Sequence, residues 1–193
     1  MKKQITLGAV LSLISGLALA HPGHGLSNGF ASGFMHPLLG WDHLLMMLAV
    51  GVWAASMGGK TRWKLPLTFV CTMLLGALIG AAGITVGGME SAIAAGLLAL
   101  GVVLMTRLAI NHTLQLLFTA LFALMHGLAH GLELYQGTLS GMTMPLLGML
   151  IATAGLHGLG YLLGMQRHRL LTLAQALLAG LMLGLGTNLL LTV

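Results

Sequence analysis

Charged side chains are scarce in this sequence. Only 3 of the 193 residues are acidic and 8 are lysine or arginine, while 58% are hydrophobic and the mean hydropathy is +1.00. In soluble globular domains about a quarter of the residues are charged. The scarcity excludes an ordinary soluble domain and indicates a protein whose solvent is the lipid bilayer. The basic residues are spread over separate loops, so they do not form a nucleic-acid-binding patch either.

Three further features are rare or missing, and each excludes a class of site or activity. The single cysteine, Cys71, lies in an apolar segment, which excludes an intramolecular disulfide and a thiolate-rich metal cage. No Walker motif is present, so this chain does not hydrolyse ATP. The HExxH motif of zinc proteases is also missing. The few histidines and carboxylates within the apolar segments are the candidate functional residues, because ionisable groups are costly in a membrane.

The first twenty residues have the form of a cleaved signal peptide. Two lysines precede an apolar run over residues 5–17, and residues 18–20 read Ala-Leu-Ala, the small-x-small form that signal peptidase cuts. We expect cleavage because the run is short and Pro22 interrupts a helix directly after it. The alternative is an uncleaved first helix. The mature chain would begin with His21 and carry His24, and both are candidate metal ligands beside the mouth of a transport path.

Residues 21–193 are predicted to form one all-α membrane domain, a bundle of six transmembrane helices. Short polar breaks separate six apolar segments, each long enough for a bilayer of about 30 Å. The expected spans are 30–57, 66–87, 91–110, 114–135, 139–164 and 170–192.

The loops indicate the orientation of the bundle. With the leader removed, the mature N-terminus lies outside and the first, third and fifth loops face the cytoplasm. All basic residues beyond the leader fall in or beside these loops, as the positive-inside rule requires; they are Lys60, Arg62, Lys64, Arg107, Arg167 and Arg169. An uncleaved leader gives the same orientation. We expect a bacterial inner-membrane protein with both termini on the periplasmic side.

The first span contains the stretch HPLLGWDH, which ends at His43. An ionisable group in a span costs roughly 2.5–3.5 kcal/mol on insertion scales, so its presence needs a reason. On a regular helix His36 and His43 would share a face but lie about 10 Å apart, too far for one ion. Pro37 and Gly40 predict a kink or break that would fold His36 toward Asp42 and His43.

The fourth span carries a second polar stripe. His126 and His130 are one turn apart, so both imidazoles can reach one ion, and Glu133 continues the same face. Its carboxylate could bind the ion or orient His130 from behind. Both stretches are expected in the outer half of the membrane.

Two further residues complete the candidate path. Glu90 is expected in the tight outer turn after the second span, which would place all three acids of the chain, Asp42, Glu90 and Glu133, at or near the outer side. His157 lies deeper, beyond the helix-breaking Pro145, and is a candidate relay. A hydrogen bond to a neighbouring helix is the favoured interpretation for His157, as for His112 and His168.

The stretches also hint at internal symmetry. Met35-His36 opens the first stretch and Met125-His126 opens the second, in equivalent positions of two three-helix halves with opposite orientation. Inverted repeats with broken helices near the midplane are typical of transporters, so the pattern indicates a 3+3 inverted repeat.

The first-span motif H-P-x-x-G-x-D-H-x-x-x-M-x-x-V-G, which runs from His36 to Gly51, resembles the HupE/UreJ family of nickel/cobalt permeases. The leader, the six spans and the HGLAHGLE stretch are similar to that family too. The resemblance implies secondary transport of Ni²⁺ or Co²⁺ through the inner membrane for hydrogenase or urease maturation. It also implies that the first-span motif positions and the fourth-span histidines and glutamate are metal-transit residues.

We therefore expect a transporter rather than an enzyme, with Ni²⁺ as its substrate and no permanently bound cofactor. Imidazole and carboxylate ligands suit Ni²⁺, Co²⁺ and Zn²⁺ equally, so the ligands do not choose the ion. Two alternatives stay open. An intramembrane zinc hydrolase would hold its ion with His36, His126 and His130 and activate water beside Glu133. A b-type haem carrier would use His36 and His130.

Overall fold

The computed structural model describes residues 29–135, 138–166 and 169–192, and this part of the chain is helical without any strand. A short 3-10 helix, Gly59–Trp63, precedes the third α-helix. The α-helices are α1 (Phe30–Leu39), α2 (Trp41–Met57), α3 (Lys64–Ala81), α4 (Met89–Thr106), α5 (His112–Leu134), α6 (Leu139–Met165) and α7 (Arg169–Thr192).

The lengths of these helices fit a bilayer. Five apolar helices are long enough to cross it: α3, α4, α5, α6 and the Thr172–Thr192 part of α7. The bent pair α1–α2 makes a sixth span if both helices cross as one unit. The prediction of an all-α, multi-pass membrane protein is confirmed. The leader predicted at residues 1–20, with His21 and His24, lies outside the described residues.

The first span is broken where the sequence predicted. Gly40 is the single residue between α1 and α2, its backbone is extended, and the two helix axes differ in direction by 81°. Pro37 itself stays inside α1, and the helix ends two residues later at Leu39. A proline removes one backbone hydrogen bond and crowds the preceding turn, so the helix ends within a turn of it. As a result of this break, α1 runs nearly perpendicular to α2.

Three predicted details were wrong. The second span ends at Ala81 rather than at residue 87, because a turn follows in which Gly83 and Gly88 have positive φ. The third ends at Thr106, because Arg107 adopts the left-handed conformation and terminates the helix. Pro145 does not break the fifth span, since α6 is continuous around it. Gly33 of α1 packs directly on the Pro145 backbone, where a Cβ atom would not fit.

Glycines set the distance between paired helices. Gly51 and Gly160 bring α2 against α6, Gly76 and Gly127 bring α3 against α5, and Gly186 brings α7 against α4. At each of these positions a Cβ atom would meet backbone atoms of the facing helix. Close backbone approach at small residues is the usual way in which membrane helices associate, since lipid provides no hydrophobic drive between them.

Two neighbouring glycines of α6 allow a matched test of this packing. A methyl group at Gly160 would overlap the Leu48 carbonyl, whereas one at Gly158 would meet nothing within 4 Å. We expect Gly160→Ala to destabilise the bundle by about 1–3 kcal/mol, the usual range for overpacking. Gly158→Ala should leave stability unchanged or slightly higher, because alanine favours the helix. Thermal melts of the two purified variants in detergent check this, and equal melting temperatures would contradict it.

Candidate metal centre

The break at Gly40 and the fourth predicted span bring six polar side chains together at one end of the bundle. α1 contributes His36, and the first turn of α2 contributes Asp42 and His43. The last two turns of α5 contribute His130 and Glu133, and His126 lies one turn deeper. The rings of His36 and His43 are 5.3 Å apart between centroids, so the fold removes the separation that a continuous helix would impose.

Three of the imidazoles form a group of metal-ligand type. One nitrogen from each of His36, His43 and His130 lies within 4.8 Å of the other two. The ring of His130 is 4.6 Å from both other rings, centroid to centroid. Two nitrogens bound to one ion at about 2.1 Å can be no more than about 4.2 Å apart. Side-chain shifts of less than about 1 Å would therefore bring the three nitrogens onto one ion.

A carboxylate lies beside the outer edge of this histidine trio. Oε2 of Glu133 is 3.5 Å from Nδ1 of His130 and 3.9 Å from Nε2 of His36. The Glu133 side chain is about half exposed, so its charge faces both the solvent and the trio. Because a carboxylate attracts a cation and can also bind it, Glu133 could add an oxygen ligand at this exposed edge of the trio.

The second carboxylate, that of Asp42, contacts a histidine of the trio directly. Oδ1 of Asp42 lies 2.9 Å from Nδ1 of His43. A carboxylate can only accept a hydrogen bond, so Nδ1 of His43 carries the proton and Nε2 presents its lone pair. That Nε2 atom is buried and has no hydrogen-bond partner among the described residues. A carboxylate in this position could orient His43 for metal binding, because carboxylates often hold metal-binding histidines in this way.

The His126 ring is oriented in a similar way, by a hydrogen bond to the backbone. Its Nδ1 atom donates a hydrogen bond to the Phe122 carbonyl at 2.8 Å, which leaves the buried Nε2 atom without a partner. The His126 and His43 rings are 5.1 Å apart. Both side chains therefore offer a bare Nε2 lone pair, and His126 continues the cluster inward from the trio.

Exposure falls steadily along this series of residues. The side chain of Glu133 is 47% exposed, that of His36 36% and that of His43 13%, while His130 and His126 are buried. The cluster thus opens at its carboxylate end and closes toward the bundle interior. At the other end of the helices lie the basic residues Lys60, Arg62, Lys64, Arg107 and Arg169.

The other predicted residues lie outside this cluster. Glu90 is exposed in the first turn of α4 and forms no ion pair among the described residues. His157 is buried in α6, and neither ring nitrogen bonds a neighbouring helix or any other described residue. The Nδ1 atom of His112 bonds Gln115 on its own helix. His168 lies outside the described residues.

Sequence reasoning missed Phe69. This fully buried side chain of α3 contacts the His126 ring at 6.0 Å and the His157 ring at 5.0 Å, between centroids. A phenylalanine in an apolar span resembles any other core residue. No spacing or motif in the sequence distinguishes it, because its position depends on three different helices.

Helices of this length with buried histidines define a multi-pass membrane protein with donor groups suited to a divalent metal. The chain belongs to the HupE / UreJ protein family, which matches residues 9–189. It is 39% identical over 159 residues to Protein HupE of Rhizobium leguminosarum bv. viciae, and this alignment covers 82% of the chain and 81% of that protein. No solved structure matches the chain significantly. The resemblance seen in the first-span motif is confirmed, and the family is associated with hydrogenase and urease accessory function.

The alternative interpretations, an intramembrane zinc hydrolase and a b-type haem carrier, agree less well with these findings. The hydrolase finds no support in these comparisons, and the trio contains His43 where the hydrolase was expected to use His126. A haem between His36 and His130 would require a flat slot between their rings. Those rings instead meet edge to face at 4.6 Å, which leaves no room for a porphyrin.

Proposed function

We propose that this chain is a permease that carries Ni²⁺ or Co²⁺ across the bacterial inner membrane into the cytoplasm, for hydrogenase or urease maturation. The observation that carries the proposal is the trio His36, His43 and His130 at the open end of the bundle. Imidazoles with carboxylates beside them suit late first-row divalent metals. Membership of the HupE / UreJ family supports nickel as the ion.

The route would begin at the carboxylates. Glu90 and Glu133 are both exposed at this end, so they raise the local concentration of a cation before it meets the trio. The ion would then pass to His43 and His126, whose Nε2 atoms lack partners. His21 and His24 would capture metal beside the opening. A series of weak sites suits transport, because an ion must leave each site as well as enter it.

The membrane potential suffices as the driving force. With the interior negative by 100 mV, inward movement of a divalent ion gains about 4.6 kcal/mol, roughly a thousand-fold concentration ratio. The basic residues at the end opposite the cluster support a cytoplasmic location for that end, by the positive-inside rule. Both chain termini would then be periplasmic, and residues 1–20 would be removed as a signal peptide.

A group of three contacting side chains at the inner end supports an outward-facing state. There the Arg62 guanidinium lies 5.7 Å from the Trp63 ring centroid and 5.6 Å from that of Tyr161, and these two rings stack. A positive group at this point opposes the passage of a cation. Release into the cytoplasm would therefore require this group of three side chains to separate.

The pairing of the helices supports a 3+3 inverted repeat. The first span pairs with the fifth, the second with the fourth and the third with the sixth. Exchanging the first span with the fourth, the second with the fifth and the third with the sixth reproduces the same three pairs. Two equivalent halves that rock against each other are a common basis for alternating access.

Uptake of radioactive nickel tests the proposed function. In cells that lack their own nickel importers, expression of the chain should raise accumulation well above that of cells with an empty vector. An ionophore that collapses the membrane potential should abolish the gain if the potential drives uptake. An excess of unlabelled Co²⁺ should compete more strongly than Mg²⁺, because Mg²⁺ prefers oxygen ligands. Accumulation equal to that of the empty vector would refute transport, and uptake of zinc alone would change the substrate.

A further inference from the structure

A second group of buried polar side chains lies deeper than the metal centre. Among the described residues, the buried polar side chains belong to α5 or α6. Three of them lie outside the cluster, and their polar atoms have no hydrogen-bond partner among the described residues: Thr119, Thr153 and His157. Thr153 and His157 are one helical turn apart, so their side chains share a face of α6. All three are at most 1% exposed.

The two bare nitrogens of His157 are the feature that needs an explanation. A neutral imidazole always has one N–H donor and one acceptor, and burying either without a partner is unfavourable. The ring meets Phe69 edge to face, with an interplanar angle of 80°. An N–H directed at that aromatic face would satisfy one nitrogen weakly. The other nitrogen would still lack a partner, so packing alone does not account for the residue.

The position of His157 follows from its backbone contact with α2. Its carbonyl oxygen lies against Gly51, which leaves no space there for a Cβ atom. Gly51 is eight residues beyond His43 on the same helix, or about 12 Å deeper at 1.5 Å per residue. The Phe69 ring lies near both His126 and His157, with centroid distances of 6.0 Å and 5.0 Å. The phenyl ring thus links the inner imidazole to the metal centre through a pair of ring contacts.

We propose that His157 and Thr153 form a second, inner position for the transported divalent metal, linked to the metal centre by the ring contacts of Phe69. One imidazole nitrogen and one hydroxyl oxygen are few ligands, so the ion would keep part of its water shell and bind weakly, as an intermediate position requires. This inference rests on the proposed function and gives it a second step. Thr119 of α5, seven residues before His126 and so on the same helix face, is a further buried hydroxyl without a hydrogen-bond partner among the described residues.

Cobalt binding to the purified full chain in detergent tests the inner position, with Co²⁺ as the probe. Equilibrium dialysis gives the number of cobalt ions bound per chain. The reference protein, called the parent here, carries His21→Ala and His24→Ala, which remove two other candidate ligands. We expect His157→Ala to bind one cobalt per chain fewer than the parent. Thr153→Val, which keeps the shape without the hydroxyl, should weaken only that cobalt. His112→Ala, at the end of α5 opposite the cluster, should bind as the parent does.

The outcomes separate the two proposals. A His157→Ala variant that melts like the parent and keeps its full cobalt stoichiometry overturns the inner position. Loss of cobalt in His130→Ala with no loss in His157→Ala leaves the outer trio intact and overturns only this inference. The reverse pattern would support the inner position and contradict the outer one. If His157→Ala fails to fold, His157→Phe and Thr153→Val decide by the same measurement.

Discussion

Replacing His130 by alanine is expected to reduce nickel uptake to the level of cells without the protein. His130 is the central member of the trio, since its ring lies 4.6 Å from those of both His36 and His43. Alanine would leave two imidazoles from α1 and α2 and would also remove the neighbour of Glu133. Removing even an outer-shell partner of a metal ligand costs about 10–100-fold in affinity, so loss of a ligand should cost about 100-fold or more.

The measurement is initial uptake of radioactive nickel together with nickel binding by the purified protein. His112→Ala is the matched control, because this histidine lies on the same helix, outside the cluster, and bonds only within that helix among the described residues. Equal amounts of both variants in the membrane must be shown. Uptake by His130→Ala within a factor of two of the unaltered protein would refute the trio as the transport site.

Replacing Asp42 by alanine is expected to weaken nickel binding by about 10–100-fold, the usual effect of losing an outer-shell partner. Asp42 accepts the Nδ1 hydrogen bond of His43 at 2.9 Å and thereby directs the bare Nε2 atom toward the cluster. Without this acceptor the His43 ring can rotate, and its proton can move to Nε2. The stoichiometry of nickel should stay unchanged, because Asp42 positions a ligand and is not expected to be one.

Asp42→Asn distinguishes this positioning role from a purely electrostatic one. The asparagine amide oxygen can accept the same hydrogen bond from His43 Nδ1 but carries no charge. We expect its affinity for nickel to lie between those of the unaltered protein and Asp42→Ala, as isothermal titration would measure. Equal losses in both variants would show that the charge rather than the hydrogen bond matters. No loss in either would refute the role of Asp42.

Much of the site could be predicted because membranes make polar residues conspicuous. In a chain with three acids, each intramembrane ionisable group has a large insertion cost and stands out against the apolar background. Pro37 and Gly40 indicated the break that folds His36 back onto His43, and the break is present at Gly40. The spacing of His126, His130 and Glu133 on a helix placed these three on one face before any contact was known.

The remaining details were decided by residues that are distant in the sequence. The sequence placed Asp42 near the ion, and the fold adds that one of its carboxylate oxygens accepts a hydrogen bond from His43. Phe69 lies beside His126 and His157 because α3, α5 and α6 meet around it. The close contact of Gly33 of α1 with the Pro145 backbone of α6 likewise joins two distant segments. Local sequence rules describe one helix at a time, so they do not anticipate these contacts.

The sequence by itself determined that lipid surrounds the protein and how many apolar segments it has. It also determined the break in the first span and the two stretches that carry the candidate ligands. These follow from hydropathy and helical periodicity, which act along the chain and need no neighbour. Only the tertiary structure decided which histidines lie close enough to share one ion, which carboxylate accepts a hydrogen bond from a histidine ring, and that His157 is buried without a hydrogen-bond partner among the described residues. Those properties depend on how closely separate helices approach, and in this bundle glycine backbone contacts set that distance.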